Sequence, residues 1–149
     1  MSLQSLIAQI KLVNSADNIA GFKTCIANSY EWLNSEFGRG EITGLVTGRA
    51  AFIDSLLRHL WRLVELNQQK HLSLIAVGGY GRGQLQPYSD IDLLILSSKS
   101  YSKSQQESIS RFITLLWDIG LDLGQSVRTV KETFNHAKDD VTIATNLVE

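Results

Sequence analysis

The sequence predicts an α+β (mixed α/β) fold, in which a small mixed sheet has helices on one side and is preceded by N-terminal helices. Apolar residues recur at helical spacing through much of residues 24–68. Beyond that point, short apolar strands alternate with glycine-containing turns and with further helical segments. At 149 residues the chain has the length of one domain and can bury a core.

Two helices are expected before the first strand. The segment 24–37 has apolar residues compatible with one helical face, and Gly38 ends it. The segment 43–68 has a longer apolar stripe with arginines interspersed. We expect the charges of this second helix to form a solvated face, on which Arg49 could contribute to a surface for an acidic partner.

The remaining elements follow in the order strand, turn, strand, helix, strand, helix. Their expected ranges are 71–77 and 91–96 for two strands, 105–119 for a helix, 121–127 for a third strand, 129–138 for a short helix, and 141 onward for the start of another helix.

Two carboxylates in the second strand are the main candidates for chemistry. Asp90 and Asp92 are two residues apart, so in a strand both side chains point to the same face. Like charges side by side are unfavourable unless a cation neutralises them. Mg²⁺ prefers oxygen ligands and leaves positions open for phosphates, so the pair predicts a magnesium site.

The glycine-rich segment before this strand indicates a phosphate. Gly78 and Gly79 would let backbone N–H groups approach a triphosphate closely. Arg82 could hold a phosphate or pair with a nearby acid. Ser89 could donate to phosphate, orient Asp90, or serve only the turn. The combination favours metal-dependent chemistry on a nucleotide.

Three segments of the chain, in order, resemble a known family. The strand, Gly78-Gly79 and Asp90-Ile91-Asp92 pattern is similar to the DNA polymerase beta-like nucleotidyltransferase superfamily. The fuller string 78–94, with 117–129 and 140–147, resembles the bacterial PII uridylyltransferase/uridylyl-removing enzymes. The resemblance extends from about Gly44 to the C-terminus.

This resemblance implies a polymerase beta-like core that moves UMP from UTP to a tyrosine of the PII signal protein and releases pyrophosphate. It implies Mg²⁺ held by Asp90 and Asp92, with a third carboxylate from a neighbouring strand. Asp122, between two leucines, is the candidate, although it could also be a solubilising charge on an edge strand. The family usually has glutamate after Gly-Arg-Gly, where Gln84 stands here.

The resemblance also implies a domain organisation. We expect residues 1–42 to be an N-terminal helical extension and residues 43–149 to be a nucleotidyltransferase domain, truncated before further domains. Members of the family remove UMP with a separate hydrolase domain, so this chain should not perform that reaction.

Two alternatives remain open. The chain could be a nucleotidyltransferase of the same superfamily with another acceptor, or an inactive nucleotide-binding regulatory module. Preferential stabilisation by Mg²⁺ with UTP, over ATP or CTP, would favour the uridylyl interpretation.

Composition limits the partners. Fourteen basic and 15 acidic residues give a formal net charge of −1, so no nucleic-acid partner is expected. The sequence contains no apolar run of the length that a membrane span needs, so no membrane partner is expected either. A single cysteine, Cys25, fits a reducing compartment, and we expect a cytoplasmic protein.

Overall fold

A computed structural model describes residues 1–129, with the backbone alone for 125–129. The helix predicted at 129–138, except for Thr129, lies outside the described residues, as do the helix from 141 and the similar segment 140–147. The elements in chain order are α1 (Leu3–Leu12), α2 (Ile19–Glu36), α3 (Ile42–Leu63), β1 (Leu72–Ala76), α4 (Gly78–Gly81), β2 (Ile91–Ser97), α5 (Lys103–Asp118) and β3 (Leu123–Thr129).

The three strands form one mixed sheet with β2 in the centre. Strand β1 is antiparallel to β2, and Ala76 pairs with Leu93. Strand β3 is parallel to β2, and Gly124 pairs with Asp92. The predicted α+β fold with a small mixed sheet is confirmed.

The core lies between one face of this sheet and the helices. Strand β2 alternates, so Ile91, Leu93 and Ile95 point into the core cluster while Asp92 points the other way. Helices α3 and α5 meet over this face, where the rings of Trp61 and Phe112 form an edge contact at 5.1 Å between centroids. The face with Asp92 is therefore the one on which chemistry could take place.

The N-terminal helices pack into the same core. Leu6 and Ile10 of α1 and Phe22 of α2 are buried in one cluster with Phe52 and Leu56 of α3. Helix α1 lies within the expected N-terminal helical extension, although no bounds were predicted for it. Helix α2 begins at Ile19 instead of 24, after Asn18, whose side chain accepts a hydrogen bond from the N–H of Gly21 (2.9 Å). The domain division at residue 42 stays a prediction.

Two element boundaries differ from expectation, and the second bears on a candidate site residue. Helix α3 ends at Leu63, because Glu65 adopts a left-handed conformation (φ 62°) before a 3₁₀ turn at Leu66–Gln68. Strand β3 begins at Leu123, two residues later than predicted, so Asp122 lies just before the strand.

Within residues 1–129, no helix is both long and apolar enough to cross a membrane.

Candidate active site

The glycine segment after β1 is a single helical turn, not the plain turn that the sequence suggested. Helix α4 spans Gly78–Gly81, and the N–H of Gly81 donates to the Val77 carbonyl at 3.0 Å. Gly78 has φ +61°, a conformation that costs a side-chain-bearing residue but not glycine. The chain can therefore leave β1 and turn sharply beside the neighbouring strand.

The Asp92 carboxylate fits into space left by two glycines. A Cβ on Gly78 would lie 3.2 Å from Asp92 Oδ2, and a Cβ on Gly124 of β3 would overlap Asp92 Oδ1. Gly78 thus makes room for the acid of the next strand, in addition to any role beside a phosphate. Sequence reasoning missed Gly124, although a glycine inside a strand is a signal of close approach.

The two carboxylates of the motif repel each other. The pKa of Asp92 is raised, first by partial burial and then by the charge of Asp90. A raised pKa means that the ionised carboxylate is destabilised in the protein without a cation. A bound cation would remove this cost, so the pair has the chemistry of a metal site.

Asp122 lies beside this pair through its backbone. The N–H of Ile91 donates to the Asp122 carbonyl at 2.9 Å, and Ile91 pairs with Leu123. Asp90 and Asp122 therefore occupy corresponding positions one residue before the paired strands. Among residues 1–129 no three His, Cys, Asp or Glu side chains are close enough to hold a metal ion together. The role of Asp122 as a third metal ligand stays a prediction.

The loop between α4 and β2 contains the other predicted residues. Arg82 caps α4, and its Nη2 would lie 3.7 Å from a Cβ on Gly79. Ser89 Oγ donates to the Gln86 carbonyl at 2.7 Å, so its hydroxyl already serves the loop. The N–H of Gln84 donates to the Gly79 carbonyl at 3.1 Å, a backbone contact that glutamate would make equally well. Phosphate binding by Gly78, Gly79, Arg82 and Ser89 stays a prediction.

Arg49 is buried, so the expectation that it belongs to a solvated, partner-facing surface is wrong. Only 7% of the residue is exposed. Its guanidinium donates to the Gln86 carbonyl, to Ser89 Oγ (3.4 Å) and to the Ser89 carbonyl (3.3 Å). Sequence reasoning could not separate it from the other arginines of α3, because its partners are distant along the chain.

Helix α4 is also tied to α3 by a tyrosine. The buried Tyr80 donates its hydroxyl hydrogen to Asp54 Oδ1 at 2.6 Å. Burial, followed by the hydrogen bond to Asp54, raises the pKa of Tyr80 well above its ordinary value. The hydroxyl therefore stays protonated and fixes the side of α4 that faces the helices.

A cleft of about 490 Å³ lies on the other side of the sheet from the carboxylates. It is bounded by α3 and by Leu93, which alternates with Asp92 along β2. This cleft is not the candidate reaction site, because neither Asp90 nor Asp92 lines it.

Comparison with known proteins agrees with this geometry. A family model described as a nucleotidyltransferase domain matches residues 57–146. The chain is 42% identical, over 93% of its length, to a bifunctional uridylyltransferase/uridylyl-removing enzyme of Pseudoalteromonas translucida. It is 48% identical, over 95% of its length, to the enzyme of that name in Pseudomonas fluorescens.

The chain spans only 16% of the length of these relatives. No solved structure matches it significantly. The matched region includes α4, Asp90, Asp92 and the strand that contains Gly124. The chain therefore belongs to the nucleotidyltransferase domain family.

Proposed function

We propose that this chain is a magnesium-dependent nucleotidyltransferase domain that moves UMP from UTP to a tyrosine of a PII-type signal protein. The tyrosine oxygen forms a bond to the α-phosphorus, and the bond from that phosphorus to the pyrophosphate oxygen breaks. The hydroxyl proton leaves the tyrosine, and pyrophosphate is the leaving group.

The observation that supports this proposal best is the position of Asp90 and Asp92. Both carboxylates are exposed, and Asp92 lies on the face of the sheet opposite α3 and α5, directly beside α4. Their mutual repulsion makes the pair suited to a cation. Magnesium bound there would supply positive charge to the phosphate oxygens, on which negative charge grows during transfer.

The chain's own residues have distinct roles in this proposal. Asp90 and Asp92 would hold the metal, and Asp122 would join them after a movement of its side chain, since the three carboxylates are not within reach of one ion in the described residues. One of these carboxylates would accept the tyrosine proton. Gly78 and Gly79 place backbone N–H groups near the triphosphate. Arg82 and Ser89 lie in the loop that follows and contribute donors to the phosphates.

The uridylyl group is supported by the name of the relatives, and the PII acceptor by the resemblance of the three sequence segments alone. Their shared name contains both a uridylyltransferase and a uridylyl-removing activity. We assign only the transfer reaction to this chain, which amounts to 16% of their length. No described side chain distinguishes uracil from another base by itself.

The test is transfer of label from [α-³²P]UTP to purified PII protein with Mg²⁺. The variants Asp90→Asn and Asp92→Asn should each lose at least about a hundredfold in rate, since each removes a charged ligand. Asp118→Asn, an exposed acid at the end of α5, is the matched control and should keep the parental rate.

Three results would count against parts of the proposal. Equal use of ATP and UTP would remove the uridylyl assignment. Label on an acceptor other than PII would replace the partner. Binding of UTP with no transfer to any acceptor would make the chain a nucleotide-binding module.

A further inference from the structure

A buried arginine holds the loop that leads into the metal-binding pair. Arg49 lies on α3 and is 7% exposed. In the part of the chain that the structure describes, it makes no ion pair, and its guanidinium donates to two backbone carbonyls and one hydroxyl. Burial of a charge is costly unless hydrogen bonds compensate it, so these loop acceptors are what make the burial tolerable.

The contacts of Arg49 bracket the tightest part of this loop. Gln86 and Ser89 lie on either side of Tyr88, which has a left-handed backbone (φ 64°). A residue with a bulky side chain rarely adopts this conformation without support from its surroundings. On the other side of the loop, the Tyr88 ring stacks on the Tyr30 ring of α2, with 5.6 Å between ring centroids and 12° between ring planes. The loop is thus held from both sides.

One of these bonds acts directly on Asp90. The Ser89 carbonyl that Arg49 Nη2 contacts at 3.3 Å belongs to the peptide group joining Ser89 to Asp90. Because a peptide group is planar, its orientation also determines the direction in which the chain enters Asp90. Asp90 lies just before β2, outside the paired residues of the strand, so its position depends on the loop that precedes it.

We propose that Arg49 is a positioning residue for the metal-binding pair: its guanidinium orients the Ser89–Asp90 peptide and thereby sets the separation of the Asp90 and Asp92 carboxylates. The inference rests on the proposed function, because it presumes that the two carboxylates bind a divalent cation. Arg49 acts on the pair through the loop, because its hydrogen bonds go to Gln86 and Ser89.

The first test measures the loop without any metal. Trypsin can cleave after Arg82, which is exposed at the start of the loop. Arg49→Met removes all three hydrogen bonds, so cleavage after Arg82 should become at least about tenfold faster as the loop opens more often. Arg62→Met is the matched control, because Arg62 is an exposed arginine of the same helix. In this variant the rate of cleavage after Arg82 should not change.

The second test measures cation binding. The affinity for Mn²⁺ in the presence of UTP is measured by electron paramagnetic resonance. It should fall about 10–100-fold in Arg49→Met, as it does when other residues that orient metal ligands are replaced. Arg49→Lys keeps the charge but not the planar fork, so it should lie between the parent and Arg49→Met. If Arg49→Met does not fold, Arg49→Lys alone decides the question.

The outcomes separate the two proposals. Mn²⁺ affinity within twofold of the parent in a folded Arg49→Met or Arg49→Lys protein would overturn the positioning role and leave the metal site intact. A parent chain that binds no Mn²⁺, or whose binding Asp90→Asn leaves unchanged, would overturn the metal site and the positioning role together. A thermal midpoint that falls while Mn²⁺ affinity is kept would show a purely structural arginine.

Discussion

At the scale of single residues, the Asp92 carboxylate has room because its neighbours Gly78 and Gly124 carry no Cβ atom. Gly124 lies opposite Asp92 in the parallel pair, and a Cβ there would overlap the carboxylate. Glycine in a strand ordinarily weakens it, so its presence here needs a reason. The carboxylate supplies that reason, since it occupies the place where a side chain would stand.

Gly124→Ala should therefore impair the site more than the fold. The added methyl pushes the Asp92 carboxylate aside, and we expect at least about a tenfold loss of Mn²⁺ affinity, as for other changes that reorient a ligand. Gly44→Ala is the control, because a Cβ on Gly44 meets nothing within 4 Å. Equal Mn²⁺ affinity in Gly124→Ala and the parent would show that Asp92 does not need this space.

The raised pKa of Asp92 predicts a pH-dependent stability change. Because the folded protein holds this proton more tightly than the unfolded chain does, ionisation of Asp92 lowers the free energy of unfolding as pH rises through its pKa. In the absence of metal, Asp92→Asn should therefore raise the free energy of unfolding at pH 7.

The same substitution should have no such benefit at a pH below the ordinary aspartate pKa of about 3.9, where the parent carboxyl is already protonated. Urea denaturation at both pH values measures the difference. Stabilisation of equal size at both values would show that shape, and not charge, is responsible.

At the scale of elements, α4 is a short helix whose position depends on its neighbours. A single turn has too few internal hydrogen bonds to persist alone. It is tied to β2 through the bond from the Val77 N–H to the Asp92 carbonyl (3.1 Å) and to α3 through Tyr80 and Asp54. The glycines next to Asp92 are therefore held by contacts made elsewhere on the same turn.

Tyr80→Phe should destabilise the protein by about 1.5–3 kcal/mol, the usual contribution of a hydrogen bond to a charged group. Asp54→Asn should cost less, since the amide still accepts from the tyrosine. A double-mutant cycle of Tyr80→Phe with Asp54→Ala, which removes the acceptor, measures the coupling by urea denaturation, and additive effects would contradict a direct Tyr80–Asp54 interaction.

At the scale of the whole molecule, the N-terminal helices are part of the main core. Leu6 of α1 is 0% exposed and belongs to the same cluster as the buried leucines of α3. The helix that positions Arg49 and Asp54 is therefore supported from behind by residues near the start of the chain. A change there should reach the site through stability and not through chemistry.

Leu6→Ala should lower the free energy of unfolding by about 2–5 kcal/mol, because it removes buried methyl groups and leaves a cavity. Leu12→Ala on the same helix is the control, since Leu12 is 77% exposed, and it should change stability by less than about 0.5 kcal/mol. A loss for Leu6→Ala no greater than that of Leu12→Ala would show that α1 is detached from the core in solution.

Much of the architecture was predictable because it depends on local periodicity. The apolar stripe of α3 and the alternation in β2 are visible in consecutive residues, and both elements were expected near their observed positions. The ends of the elements were harder to predict: α3 ends early at Leu63, because Glu65 adopts a left-handed backbone that its residue type does not indicate. Strand β3 begins late, which leaves Asp122 outside the strand.

The sequence by itself determined the mixed α+β fold, the long apolar stripe of α3 and the alternation of β2 that turns Asp92 away from the core. Each follows from neighbouring residues, because side-chain direction along a helix or strand is a local property. Only the tertiary structure decided that Gly124 makes room for Asp92 and that Arg49 is buried against the loop, 40 residues from Ser89. Such contacts depend on how elements pack, which residue spacing along the chain does not encode.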